Sequence, residues 1–238
     1  MFDWRAKIGL IYPAPGTAGE FEFHRMAPEG VVICTTRIPH EQTTPEYLIK
    51  MSAYIEKAAE LLSQAKVDVI VFGCASGSFV KGVGYDKEII QRIEDLVHIP
   101  AITTSTAIIE ALKATGVKKI VVATPYCDEV NQRQKLFLES HSFQIQDIKG
   151  LDITNPFDMA SVEPGVIYKL AKDMILDTTD GVLISCTGLG IISIVEILEC
   201  DIQKPVITSN QATMWAALRK VKVREEIQGL GQLFCREL

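Results

Sequence analysis

The sequence predicts an α/β protein of two pseudo-symmetric lobes, each a parallel sheet flanked by helices, with an active site in the cleft between them. Two observations carry this. Matching segments recur 112 residues apart: Lys7 to Pro13 (KIGLIYP) matches Lys119 to Pro125 (KIVVATP), and Cys74 in VDVIVFGCASGS matches Cys186 in DGVLISCTGLG. Strand-like and helix-like segments also alternate throughout, the pattern of parallel sheets covered by helices on both faces. A further match, IPAITTSTA from Ile99 and KPVITSNQA from Lys204, follows each cysteine.

In order along the first half, apolar β-prone runs predict strands at Ile8 to Tyr12, Val31 to Thr35, Val67 to Gly73 and Ala101 to Thr103. The helix predicted over Pro45 to Ala65 carries Leu48, Met51, Ile55, Ala58, Ala59 and Leu62 at helical spacing. Helices are also predicted at Asp86 to Val97 and Thr106 to Thr115. The second half gives strands at Ile120 to Ala123, Phe143 to Ile148, Gly181 to Ser185 and Val206 to Thr208. Its helices are Glu129 to Ser140, Pro164 to Leu176, Ile191 to Leu198 and Gln211 to Leu218. The lobes divide near Thr115-Gly116, giving units 1–115 and 116–238, with the last helix free to cross back to the first.

At 238 residues and 47% apolar content, the chain is long enough for two compact cores. A formal charge of −6 and a pI near 5.3 leave no basic footprint, so nucleic acid is not an expected partner. No apolar run reaches the roughly 20 residues of a membrane span, and MFDWRAK does not read as a signal peptide. A soluble, cytoplasmic protein with reduced thiols is expected. The six cysteines form no C-x-x-C pair and no ligand-like spacing with the four histidines, so neither a metal site nor a disulfide framework is expected.

A lone cysteine at a strand end is usually a small apolar filler. Two at equivalent places, each followed by small residues and read as strand turning into helix, point instead to opposed thiols at one cleft. A helix amino terminus stabilises a thiolate, so each thiol is expected to have a lowered pKa and to exchange protons with carbon. Ser76, Ser78 and Thr187 lie beside them as candidate donors to a carboxylate, or as helix caps. In TPYCDEVN, Tyr126 follows the strand that opens the second half, where its hydroxyl can donate to an enolate or carboxylate oxygen. Its first-half counterpart, the loop YPAPGTAGE with Pro13 and Gly16, suits a binding loop and is not a dinucleotide fingerprint.

With GCASGS, TPYCDEVN and SCTGLG in view, the chain resembles the Asp/Glu racemase superfamily, and within it the maleate isomerase and arylmalonate decarboxylase branch. The resemblance spans nearly the whole chain and implies two α/β lobes around the site, no cofactor or metal, and a homodimer. By position, Cys74 resembles the first-lobe nucleophile or base, and Cys186 the second-lobe thiol that delivers or accepts a proton. Ser76, Tyr126, Thr187 and the backbone at Ala75 and Gly188 match positions that bind carboxylate or enediolate oxygens. Asn155, in DITNPFDMA, is similar to a substrate-binding Asn of the isomerases.

Gly16 and Gly188 stand where the isomerases usually carry Asn, which leans toward the decarboxylases. Those keep only the second thiol, whereas Cys74 is present here. The resemblance therefore implies a cofactor-independent isomerase or racemase of a small carboxylic or dicarboxylic acid. The alternatives are an arylmalonate-type decarboxylase with Cys186 as proton donor, and a non-catalytic binder of a small acid.

Overall fold

The computed structural model describes residues 3–235. The first half contains β1 (Ala6–Pro13), α1 (Ala18–Met26), β2 (Val31–Ile38), α2 (Pro45–Met51), α3 (Ile55–Gln64), β3 (Val69–Phe72), α4 (Ala75–Phe79), α5 (Tyr85–Val97), β4 (Ala101–Thr103) and α6 (Thr104–Thr115). The second contains β5 (Lys119–Thr124), α7 (Asp128–Ser140), β6 (Gln144–Gly150), α8 (Pro156–Met159), α9 (Pro164–Asp173), β7 (Gly181–Ile184), α10 (Val195–Ile202), β8 (Val206–Thr208) and α11 (Ser209–Lys220).

The strands form two four-stranded, all-parallel sheets of identical order, β2-β1-β3-β4 and β6-β5-β7-β8. This is the pseudo-symmetry that the repeat predicts. β3 (VIVF) and β7 (GVLI) are buried at every residue, as expected for strands covered on both faces and rich in branched side chains. In each sheet the chain steps to one side of its first strand and then crosses to the other. The carboxyl ends of β1 and β3, and of β5 and β7, therefore frame the topological switch points where such sheets hold ligands.

Helices α6 and α11 follow β4 and β8 directly and pack against each other, joining the halves. Each is capped by the last residue of its strand: Thr103 Oγ1 accepts from Thr106 N at 3.2 Å, and Thr208 Oγ1 from Gln211 N at 3.1 Å. Thr213 of α11 donates to Thr104 of α6 across the contact at 3.2 Å.

Three elements differ from expectation. The helix predicted over Pro45 to Ala65 is broken by a 3-10 turn at Ser52–Tyr54. There the Ser52 hydroxyl bonds back to the Ile49 carbonyl at 2.7 Å, while Arg92 takes the Ser52 carbonyl at 3.1 Å, diverting groups that a continuous helix would use. Helix α1 begins inside the stretch read as a loop, YPAPGTAGE, and runs on through residues assigned to no element. It buries Gly19, Glu22, Phe23 and Met26 at helical spacing, but a carboxylate on the inward face hides that pattern from hydropathy. No helix follows Cys186 directly: residues 187–191 form a turn and loop before a 3-10 turn at Ile192–Ile194 and then α10.

Glycines mark where the backbone is crowded. A Cβ on Gly150, at the end of β6, would stand 1.9 Å from the Tyr126 carbonyl oxygen, whereas one on Gly165 in α9 would meet nothing within 4 Å. Gly150→Ala is expected to destabilise by about 2 kcal/mol or more. Gly165→Ala is expected to stabilise by about 0.5 kcal/mol. Urea unfolding midpoints of the two variants check this, and equal effects would contradict it.

Candidate active site

The first thiol stands where β3 turns into α4. Cys74 is the N-cap of that helix, and its sulfur accepts the Gly77 N–H at 3.3 Å. Ser76 Oγ lies 3.8 Å from the same sulfur, and the Ser78 hydroxyl donates to the Cys74 carbonyl. Ser78 is thus consumed by the helix start, while Ser76 faces the sulfur.

The second thiol follows β7, and the Gly188 N–H donates to its sulfur at 3.2 Å. Thr187 sends its hydroxyl across to the Gly73 carbonyl at 3.1 Å, so the two cysteine turns touch. Tyr126 is fully buried at the end of β5. Asn131 of α7 brackets its turn, accepting from Thr124 Oγ1 at 2.7 Å and donating to the Tyr126 carbonyl at 3.3 Å. This accounts for the spacing of TPYCDEVN. Tyr126 lines the same cavity as Ser76 and both cysteines, and it interacts electrostatically with both thiols.

Both sulfurs line one cavity of about 30 Å³, bounded by Tyr12, Pro13, Gly16, His40, Thr43, Cys74, Ser76, Tyr126, Pro156, Met159, Cys186, Thr187 and Gly188. Of the residues expected there, Pro13, Gly16, Ser76, Tyr126, Thr187 and Gly188 are present with the cysteines. Ala75 and Asn155 are not. Ala75 is buried in the first turn of α4, with its carbonyl accepting from the Ser105 hydroxyl at 3.0 Å. Asn155 is exposed and caps α8, its Oδ1 accepting Phe157 N at 3.1 Å; the neighbouring Pro156 and Met159 reach the cavity instead.

Tyr12, His40, Thr43, Pro156 and Met159 escape the sequence reading because they come from a strand end, a loop and the short α8, all remote in sequence from either cysteine. His40 Nε2 lies 3.0 Å from Thr43 Oγ1, and Thr43 and Cys186 approach the Met159 sulfur at 3.9 and 3.8 Å. Arg37 shapes the rim without lining it. It donates to the carbonyls of Ala14 and Gly16 at 2.7 and 2.6 Å and pairs with Glu20.

Burial governs the titration of the site and overturns the expectation of lowered thiol pKa values. Cys74 is 4% exposed and Cys186 6%. Desolvation raises Cys74 despite the opposing Gly77 and Ser76 contacts, and pushes Cys186 up to about 12 despite those of Tyr126 and Gly188. The five-residue α4 and the turn after Cys186 provide too little helix to reverse that penalty. His40 is driven down to about 4, also by burial. Among the described residues, no group of three or more His, Cys, Asp or Glu is arranged to hold a metal ion. No helix among them is long and apolar enough to cross a membrane.

Known proteins resemble this chain in sequence and fold. The chain is 28% identical over 240 residues to the maleate isomerase of Pseudomonas putida, covering 95% of this chain and 96% of that one. It is 28% identical over 231 residues to the arylmalonate decarboxylase of Bordetella bronchiseptica, covering 95% of both. A variant of the Nocardia farcinica maleate cis-trans isomerase, with a covalently bound succinylcysteine intermediate, superposes at a TM-score of 0.92. It is 20% identical, covers 96% of this chain and 98% of its own, and shares the fold. The family model for arylmalonate decarboxylase matches residues 8–234, and the chain belongs to that family.

Proposed function

We propose that this protein is a cofactor-independent isomerase or racemase of a small carboxylic or dicarboxylic acid, working through Cys74 and Cys186. The observation that carries this reading is that both thiols, one from each sheet, line the same cavity. In a proton shift, one thiolate takes the α-proton and the opposite thiol returns one from the other face. Neutral donors from Ser76, Tyr126 and the Gly188 amide then stabilise the enediolate.

In a cis-trans isomerisation, the cycle begins once Cys74 has given its proton to solvent while Cys186 keeps its own. The Cys74 sulfur bonds to one alkene carbon while Cys186 gives its proton to the other, leaving a saturated thioether and a Cys186 thiolate. Rotation about the new single bond follows. Cys186 then takes the proton back as the carbon–sulfur bond breaks, restoring both side chains. The succinylcysteine of the Nocardia relative is an adduct of this kind in that protein. The pKa of Cys186, pushed up to about 12, suits the protonated partner.

A dicarboxylate is supported by the polar side chains of His40 and Thr43 on the cavity wall. The Nδ1 of His40 has no hydrogen-bond partner among the described residues, while Nε2 faces Thr43. A second carboxylate would draw a proton onto that ring, since an adjacent anion favours the imidazolium.

A second reading, decarboxylation of a malonate-type acid with Cys186 as proton donor, is favoured by the apolar Pro13, Pro156 and Met159 on the cavity wall. An apolar wall around one carboxylate favours loss of CO2. Under that reading Cys74→Gly keeps or gains decarboxylation while Cys186→Gly abolishes it.

Two measurements test the leading reading. Cys74→Ala and Cys186→Ala, assayed separately with maleate and with racemisable amino and hydroxy acids, are each expected to lose roughly 10²–10⁴-fold in kcat. Full turnover by either variant contradicts the two-thiol mechanism. His40→Leu is expected to raise KM for maleate about tenfold with kcat changed less than about threefold, through loss of one charged hydrogen bond; an unchanged KM would remove His40 from substrate binding.

A further inference from the structure

The peptide unit between Thr187 and Gly188 is held at one end and used at the other. Its N–H donates to Cys186 Sγ at 3.2 Å. Its carbonyl accepts from the Tyr12 hydroxyl at 2.7 Å and from Asn210 Nδ2 at 3.3 Å. A trans peptide is planar, with C=O and N–H pointing opposite ways, so whatever fixes the carbonyl also aims the N–H.

The holders come from both sheets. Tyr12 stands at the end of β1, and its oxygen in turn accepts Gly19 N at 3.0 Å. Asn210 lies in the first turn of α11; one of its two amide hydrogens goes to Glu22 Oε2 at 2.7 Å, and the other is shared between the Thr187 carbonyl and the Leu189 carbonyl, the latter 3.2 Å away. Glu22, only 2% exposed, comes from α1 and takes Ile192 N with its other oxygen at 2.8 Å. A carboxylate buried this deeply costs stability unless it is well bonded, so its place on the inward face of α1 needs a reason. The tight packing agrees: a Cβ on Gly19 would stand 2.4 Å from the Tyr12 oxygen and 2.7 Å from the Thr187 carbonyl.

We infer that Tyr12 and Asn210, the latter oriented by Glu22, are positioning residues that turn the Thr187–Gly188 peptide so that its N–H faces the Cys186 sulfur. The N–H helps the thiolate far more than the thiol, because hydrogen bonds to a charged acceptor are the stronger ones. The reactivity of the second-sheet thiol is thereby set by a hydroxyl from the first sheet. Among the described residues no comparable tie aims an N–H at the sulfur of Cys74, whose Gly77 amide belongs to α4 itself.

This inference rests on Cys186 as the working thiol, but its test reads sulfur chemistry instead of turnover, so the two fail separately. The full chain and its Tyr12→Phe and Asn210→Ala variants are treated with iodoacetamide at pH 8 and 9. Alkylation of Cys186 and Cys74 is followed separately by peptide mass spectrometry. Each unit gained in pKa cuts the thiolate about tenfold and returns about threefold in nucleophilicity. Both variants are therefore expected to slow Cys186 by about 3- to 10-fold, with Cys74 within about twofold of the parent. If only one variant folds, it decides alone. A Cys186 rate that is unchanged or faster, both thiols shifting in step, or two variants that do not fold would each overturn the inference, the last two in favour of a purely structural role.

Discussion

Desolvation of two thiols at the ends of parallel strands is the constraint around which the rest of the molecule is arranged. A sulfur without a nearby cation gains its negative charge only from oriented N–H and O–H groups, and burial makes each such group count for more. Cys74 draws on the start of α4 and on Ser76. Cys186 draws on one backbone N–H and on Tyr126. Burial keeps both raised despite these contacts, so each thiol rests in its protonated form.

The repeat explains why such a site can exist and also why it is not symmetric. Identical strand order brings the carboxyl ends of β3 and β7 to equivalent places. The turns that follow then diverge, one entering a helix and the other staying a glycine-rich loop tied to the opposite sheet. Two thiols in matched positions but unlike settings suit a reaction in which one side chain gives what the other takes.

The strands, most of the helices, both cysteines and Tyr126 are legible in the sequence because their signals are local: apolar runs, helical spacing and small residues after a strand. Other features depend on partners far away in the chain. His40 and Thr43 matter because they meet Met159. Tyr12 matters because it reaches Thr187, and Glu22 because it grips Asn210. None of these pairings leaves a local trace, and Glu22 obscures the helix that carries it. Asn155 shows the converse error, since an Asn before Pro is also an ordinary helix cap, and that is the use it finds here.

The account stands on both sulfurs flanking one small acid, and a crystal structure of the wild-type chain with a bound four-carbon diacid tests this most directly. The expected result is one ligand in the cavity between the sheets, with the two sulfurs on opposite faces and each within about 3.5 Å of a reacting carbon. A ligand touched by only one sulfur, or bound away from both, would contradict it.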